Sequence, residues 1–308
     1  MRNPDFFRPG LPYLDAVEIK VINDASARLA NFLSGAVAYH ELAGPQDVDQ
    51  VKKTGAQITK YGSFSASHKV FNVAPNGQKE FRDVRVRQAF DLAIDRDVIL
   101  QNVVQGDGFW GGPCIPPGYG DMALSQDEVK GLYKQDLKKA KQLMTAAGVD
   151  SLAVPMEYSN IDNLAGDEMP LMKQMLAQIG INIDLKPAER TAYLQHQVDG
   201  NFKIQTIGSG AGPDPDSLLF PYYHSKGGKN WGRASDPELD ARIEKERGML
   251  DVKERNAYIK QMTKDWQNYL YRLHTVYQNL YVAWAGPIKG TFVPKGADWQ
   301  GMEGVSLG

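Results

Sequence analysis

Apolar and polar positions alternate along residues 16–22, AVEIKVI, and along 181–187, INIDLKP, and the period of two predicts half-buried strands. LAVPMEY at 152–158, FKIQTI at 202–207 and LYVAWAG ending at Gly286 read as further strands. Between them the period lengthens to that of a helix. Asp24 and Ser26 offer capping oxygens for a helix carrying Ala27, Leu29, Ala30 and Leu33, closed by Gly35. Asp83 caps VRVRQAFDLAIDRDVILQNVVQG, in which Val86, Ala89, Phe90, Ala93 and Ile94 share a face and Asp95 breaks the segment in two. Asp136 opens a helix that ends at Gly148, and a helix over about 167–179 buries Met172, Met175, Leu176 and Ile179 before Gly180. A short helix surrounds Tyr193 and Leu194. Asp236 followed by Pro237 starts ELDARIEKERGML, and a last amphipathic helix runs from 252 to about 272. Strands and helices that alternate in this way define an α/β chain, with no internal repeat and no low-complexity linker.

The 308 residues suffice for about two domains. A net charge of -2 and the absence of a basic run give no basis for nucleic-acid binding. Cys114 is the single cysteine, so no internal disulfide forms and no zinc spacing exists. No apolar run spans a bilayer, and MRNPDFFRPGLPYLD lacks the apolar core of a signal peptide.

The densest chemistry lies in GSGAGPDPDSLLFPYYHS, residues 208–225. The dinucleotide pattern fails at its third glycine, where Pro213 stands; no Gly-Lys-Ser/Thr follows; and Ser209 is flanked too closely by Gly208 and Gly210 for a nucleophile elbow. Asp214 and Asp216 could pair as carboxylates, with His224 as a base, but an Asp before Pro215 and SLLF reads first as a helix cap. His40, His68, His196, His224 and His274 are scattered, with no metal spacing. Two readings stay open on these residues alone. Gly208 and Gly210 bare the backbone for a ligand beside Tyr222, Tyr223 and Trp231, or the stretch is a glycine loop among core aromatics.

The chain resembles the extracytoplasmic solute-binding proteins of bacterial peptide/nickel-type ABC transporters, family 5. The resemblance rests on five segments in order: NPDFFRPGLPYLDAVEIKVINDASARLANFLSGAV, FRDVRVRQAFDLAIDRDVILQNVVQG, GGPCIPP, KKAKQLMTAAGV and DPDSLLFPYYHSKGGKNWGRASDPELDARIEKE. It implies a two-lobed, type II periplasmic-binding-protein architecture with the second lobe complete and the first partial. Residues 1–68 would be part of the first lobe, 69–279 the second, and 280–308 the return to the first and the tail, with hinges near Ser63–Val70 and Tyr277–Ala283. Because the first segment falls partway along the family's chains, the resemblance implies N-terminal truncation and a periplasmic or other extracytoplasmic home. It implies a monomer that binds a small solute without catalysis or cofactor and delivers it to a membrane permease and its ATPase.

The resemblance also places ligand contacts at Tyr158, Gly208, Gly210, Ala211, Asp214, Tyr222 and Trp231. Peptide binders of the family carry an aspartate where this chain has Ala211, a tryptophan where it has Gly208, and a basic residue near Glu157 and Tyr158. An unpartnered buried charge is costly, so the ligand is expected to have no free α-ammonium at the Ala211 position. Oligosaccharides, opine-like compounds and bulkier solutes fit that expectation. A shift of one or two residues in the alignment gives the ammonium-binding role to Asp214.

Overall fold

The computed structural model describes residues 3–22, 24–42, 44–63, 66–160, 162–210, 212, 214–292 and 301–308. In chain order the elements are α1 (Ala25–Leu33), β1 (Tyr39–Leu42), α2 (Val48–Lys52), β2 (Gln57–Gly62), β3 (Ala66–Phe71), α3 (Val84–Ala93), α4 (Arg96–Val104), β4 (Gly108–Trp110), α5 (Gln126–Leu132), α6 (Leu137–Ala146), β5 (Leu152–Ser159), α7 (Asn163–Ala177), β6 (Ile181–Ala188), α8 (Arg190–Asp199), β7 (Ile204–Ser209), α9 (Asp216–Tyr223), α10 (Pro237–Arg247), α11 (Val252–Lys264), β8 (Arg272–His274), β9 (Val276–Trp284), β10 (Ile288–Lys289) and β11 (Ser306–Leu307). They fall into two compact units, Met1–Ser63 with Asn279–Gly308, and Phe64–Gln278.

In the smaller unit β9 is flanked by β1 and β2, both antiparallel to it. Phe32, Leu42, Val51, Tyr281 and Ala283 form its core. α1 begins on its expected cap, with Asp24 accepting from the Ala27 N–H at 2.7 Å. The strand expected at 16–22 is absent. The segment pairs with no strand among the described residues, and Val17, Ile19 and Val21 are 48%, 77% and 86% exposed. Its alternation is a strand pattern without the neighbouring ladder a strand requires.

The larger unit holds a five-stranded sheet in the order β6-β5-β7-β3-β8. β6, β5 and β7 are parallel, whereas β3 and β8 are antiparallel to their neighbours. Alternation in β6 is realised as written: Ile181 and Ile183 are buried, Asn182 and Asp184 exposed. One sheet face packs on α3, α4, α6 and α7 through Phe71, Phe90, Met156, Met172, Leu176 and Ile204. The expected split of the signature helix is real. Asp83 caps α3, and Asp95 caps α4 by accepting from the Asp97 and Val98 N–H groups. A second core joins α9, α10 and α11 to Cys114 and Ile115 of the GGPCIPP loop. Gly112 in that loop is obligatory, because a Cβ there would lie 2.5 Å from the Tyr133 ring. α7 begins at Asn163, before the expected residue 167, and carries Pro170 inside it. Pro170 is exposed, and the residue four back is Gly166. The helix forgoes that one hydrogen bond and is held by its buried face.

Candidate ligand-binding crevice

β5 is followed by α7 and β6 on one side of it in the sheet, and β6 is followed by α8 and β7 on the other. Right-handed crossovers place α7 and α8 on opposite faces, so the order reverses between β5 and β7. In open α/β sheets ligands bind in the crevice at the carboxyl ends of the strands at such a reversal. The ladder reflects it. β5 and β7 pair only at Met156↔Ile204 and Glu157↔Gln205, whereas β5 stays with β6 to Ser159↔Ala188 and β7 stays with β3 to Ala66↔Ser209. The ends of β5 and β7 therefore part.

Gly208 and Gly210 stand on the β7 side. Both are exposed, and a Cβ built on either meets nothing within 4 Å. Gly208 lies opposite Ser67 of β3, and directly opposed residues of an antiparallel pair share a face. The Ser67 hydroxyl is buried without a partner. Beneath the loop, the Tyr222 hydroxyl donates to the Gly210 carbonyl at 3.4 Å, and its ring meets the Trp231 ring edge-on with centroids 5.8 Å apart. Gly210, Tyr222 and Trp231 are thus brought together. Tyr222 is 2% exposed and braces the loop from within. The Arg272 guanidinium, buried and with no acid beside it among the described residues, lies 5.2 Å from the centroids of both Tyr222 and Tyr223 and donates to His68 Nε2 at 2.5 Å. Burial brings its pKa down to about 10. Burial, reinforced by Arg272, holds His68 and His274 neutral, and His274 is pushed down to about 3.

Asp214 forms a bidentate pair with Arg255, at 2.7 and 2.8 Å, which holds its carboxyl below the usual range. Its Oδ1 also accepts from the Asp216 N–H at the start of α9. Asp216 pairs with Arg247 at 3.1 Å, and the buried His224 hydrogen-bonds Glu244 and the Lys226 N–H. The hydrolase grouping of Asp214 or Asp216 with His224 is not assembled. Ala211 lies outside the described residues.

On the β5 side, Tyr158 is half-buried against the main core, and Glu157 faces the opposite way. Glu157 accepts from Gln205 Nε2 at 2.7 Å and lies 2.8 Å from His196 Nδ1. A cavity of about 310 Å³ opens beside it, lined by Asn76, Pro155, Lys186, Phe202 and Lys203. Sequence reasoning missed the rest of this strand end. Ser159 is 3% exposed and its hydroxyl has no partner. Asp162 caps α7, accepting from the Ala165 N–H at 3.1 Å. Behind them Lys69 of β3 donates to Glu168 of α7 at 2.5 Å and to Thr275 at 3.0 Å, and the Thr275 hydroxyl also donates to Glu168; both ionic side chains are 1% exposed. Asp162, in the sequence SNIDNL, is a readable cap, five residues before the helix start expected near 167. Among the described residues no cluster of His, Cys, Asp and Glu could hold a metal ion, and no helix is long and apolar enough to cross a membrane.

The strand order and the parted strand ends define a mixed α/β protein with a candidate crevice in its larger unit, and comparison with known proteins places it more narrowly. The family model for bacterial extracellular solute-binding proteins, family 5 Middle, matches residues 1–230, and the chain belongs to that family. The di/tripeptide-binding protein 1 of Pseudomonas aeruginosa is 26% identical over 84% of the chain, which covers 49% of that relative. The chain thus spans about half the length of the curated relatives it matches. Helicobacter pylori DppA, solved with the peptide STSA, superposes with a TM-score of 0.80 at 21% identity, covering 100% of this chain and 59% of that one. AgaA from Agrobacterium tumefaciens R10, solved with agropinic acid, gives 0.80 at 21% identity, covering 99% and 63%. These likenesses establish the architecture.

Proposed function

We propose that this chain is the larger part of an extracytoplasmic solute-binding protein of an ABC importer, a monomer that captures a peptide-like or other organic solute and delivers it to a permease and ATPase. The unit Phe64–Gln278 would be the second lobe, and Met1–Ser63 with Asn279–Gly308 a portion of the first. The observation that carries this reading is the parting of β5 and β7 beside bare backbone at Gly208 and Gly210. Binding without catalysis is favoured because Asp214, Asp216 and Glu157 are each paired with a donor of the chain itself, and the grouping of Asp214 or Asp216 with His224 is not assembled. The peptide and opine ligands of the relatives set the range of solutes to try.

The test uses the chain with a tryptic digest of a protein and with an oligosaccharide mixture, followed by desalting and native mass spectrometry. Retention of intact small solutes at one per chain supports the reading. Release of altered products, or retention of nothing from either mixture, overturns it. Gly208→Trp fills the open space and is expected to weaken retention at least tenfold while shifting stability by no more than about 0.5 kcal/mol, as for a substitution without close contacts.

A further inference from the structure

Two cations of the chain face one ring on the β7 side of the crevice, and no acid stands with them. Lys229 Nζ lies 4.9 Å and the Arg272 guanidinium 5.2 Å from the centroid of Tyr222. The hydrogen bonds of both go to neutral groups: Lys229 donates to the Tyr222 hydroxyl, and Arg272 to His68 Nε2 and to the Lys229 carbonyl. The acids that follow the β7 loop are matched elsewhere, Asp214 by Arg255 and Asp216 by Arg247. The loop itself adds none, because residues 208–213 read GSGAGP. Like charges gathered on one ring repel, and a buried cation without an acid is costly. Burial lowers the Arg272 pKa, and what opposes it comes from Tyr223 and Tyr222 rather than from a carboxylate.

The two cations differ in reach. Arg272 is buried and fixed. Lys229 is exposed, and its ammonium donates to the Tyr222 hydroxyl at 3.3 Å. That hydroxyl donates in turn to the Gly210 carbonyl at 3.4 Å, so two hydrogen bonds tie the ammonium to the loop. An ammonium has three hydrogens, and no second acceptor among the described residues meets this one. The Gly210 N–H likewise has no acceptor among them, and nothing lies within 4 Å of a Cβ built on that residue. A lone surface lysine is ordinarily a solvated group; the guanidinium buried against the same ring marks this one. Free N–H donors, an ammonium and a fixed positive charge behind them suit an oxygen-bearing anion.

We propose that Lys229 and the Gly210 N–H receive an oxyanion of the bound solute, a carboxylate or a phosphate, with Arg272 behind Tyr222 as the fixed charge of the site. The inference rests on the solute-binding reading and narrows the solute to one bearing such a group. The side of the crevice that offers no acid to an ammonium is built for the opposite charge.

Lys229→Gln and Lys229→Arg test it, because the side chain is exposed and both chains are expected to melt within a few degrees of the parent. The probes are a tryptic digest of a phosphorylated protein, the same digest with its carboxyls converted to methyl esters, and the esterified digest after phosphatase treatment. Retained solutes are measured by native mass spectrometry. Retention that esterification abolishes assigns a carboxylate; retention that survives esterification and is lost with the phosphates assigns a phosphate. Lys229→Gln is expected to weaken retention of the anionic solutes at least tenfold, the usual scale for a hydrogen bond between charged groups, and Lys229→Arg, which keeps the charge, to preserve most of it. Equal retention of all three digests, or a Lys229→Gln chain that retains as well as the parent, overturns the inference and leaves the solute-binding reading standing. Retention of a neutral oligosaccharide and of nothing from the digests does the same. Retention of nothing from the digests or from the oligosaccharide mixture overturns both.

Discussion

The ends of β5 and β7 run in the same direction, and each hands the chain to a helix through an aspartate, yet the two aspartates are treated differently. Asp214, before α9, is gripped by both terminal nitrogens of Arg255, whose Nε also reaches Glu246 at 2.8 Å. Asp162, before α7, keeps one oxygen without a partner, and the buried pair behind it is closed without its help. An aspartate at a helix start is a structural device wherever its charge is matched nearby. Where the cap uses one oxygen and no cation among the described residues claims the other, the aspartate keeps its charge and a free acceptor.

The comparison depends first on the closure of Lys69 with Glu168. Glu168→Ala would leave a buried ammonium without its acid, which costs about 3–5 kcal/mol when one partner of a buried pair is removed. In a unit of this size that lowers the thermal midpoint by roughly 10 °C. The joint change Lys69→Met with Glu168→Leu should recover most of the loss. A single variant that melts with the parent would show that Lys69 is answered elsewhere, and Asp162 would be the first place to look.

Acid separates the two sides next. The β7 side rests on His68 and His274, kept neutral by burial beside Arg272. Their folded pKa values lie below the unfolded value near 6.5, so the unfolded chain binds more protons as pH falls. Stability is therefore full above about 6.5 and is lost on descent towards the folded value, about 3 for His274, at about 1.4 kcal/mol per pH unit for each histidine. Between pH 7 and 5 this amounts to about 2 kcal/mol each. Urea midpoints measured across that range should fall, and His274→Gln should flatten the slope. A flat profile in the parent would mean that the histidines are already charged or reached by solvent.

Much of this was legible beforehand, for identifiable reasons. The caps at Asp24, Asp83, Asp136 and Asp236 are local, and each side-chain oxygen meets the first N–H groups of its helix; the break expected at Asp95 is likewise local and turns out to be the cap of α4. The family resemblance likewise rested on contiguous segments. What escaped was pairing at a distance. Lys69, Glu168 and Thr275 are separated by 99 and 107 residues along the chain, and nothing in their neighbourhoods marks them as partners. The pairing of Asp214 with Arg255, 41 residues away, was equally out of reach of a local reading. The strand expected at 16–22 failed in the opposite way, with a clear local pattern and no neighbouring ladder.

The smallest effect tests whether Arg255 alone makes the two aspartates unlike. Arg255→Ala removes the cation from Asp214 and leaves Glu246, whose side chain is 0% exposed, without its donor. The loss of a hydrogen bond to a buried charged group costs about 2 kcal/mol, and part of it is relieved because burial already raises the Glu246 pKa and favours its neutral form. The Asp214 carboxyl, now held low by Arg255, should titrate nearer the ordinary range, which carbon-detected NMR of the side-chain carboxyls can follow. Solute retention is expected to stay as in the parent. If Arg255→Ala instead widens the range of amine-bearing solutes retained, Asp214 lies within reach of the ligand, and Arg255 is what withholds it.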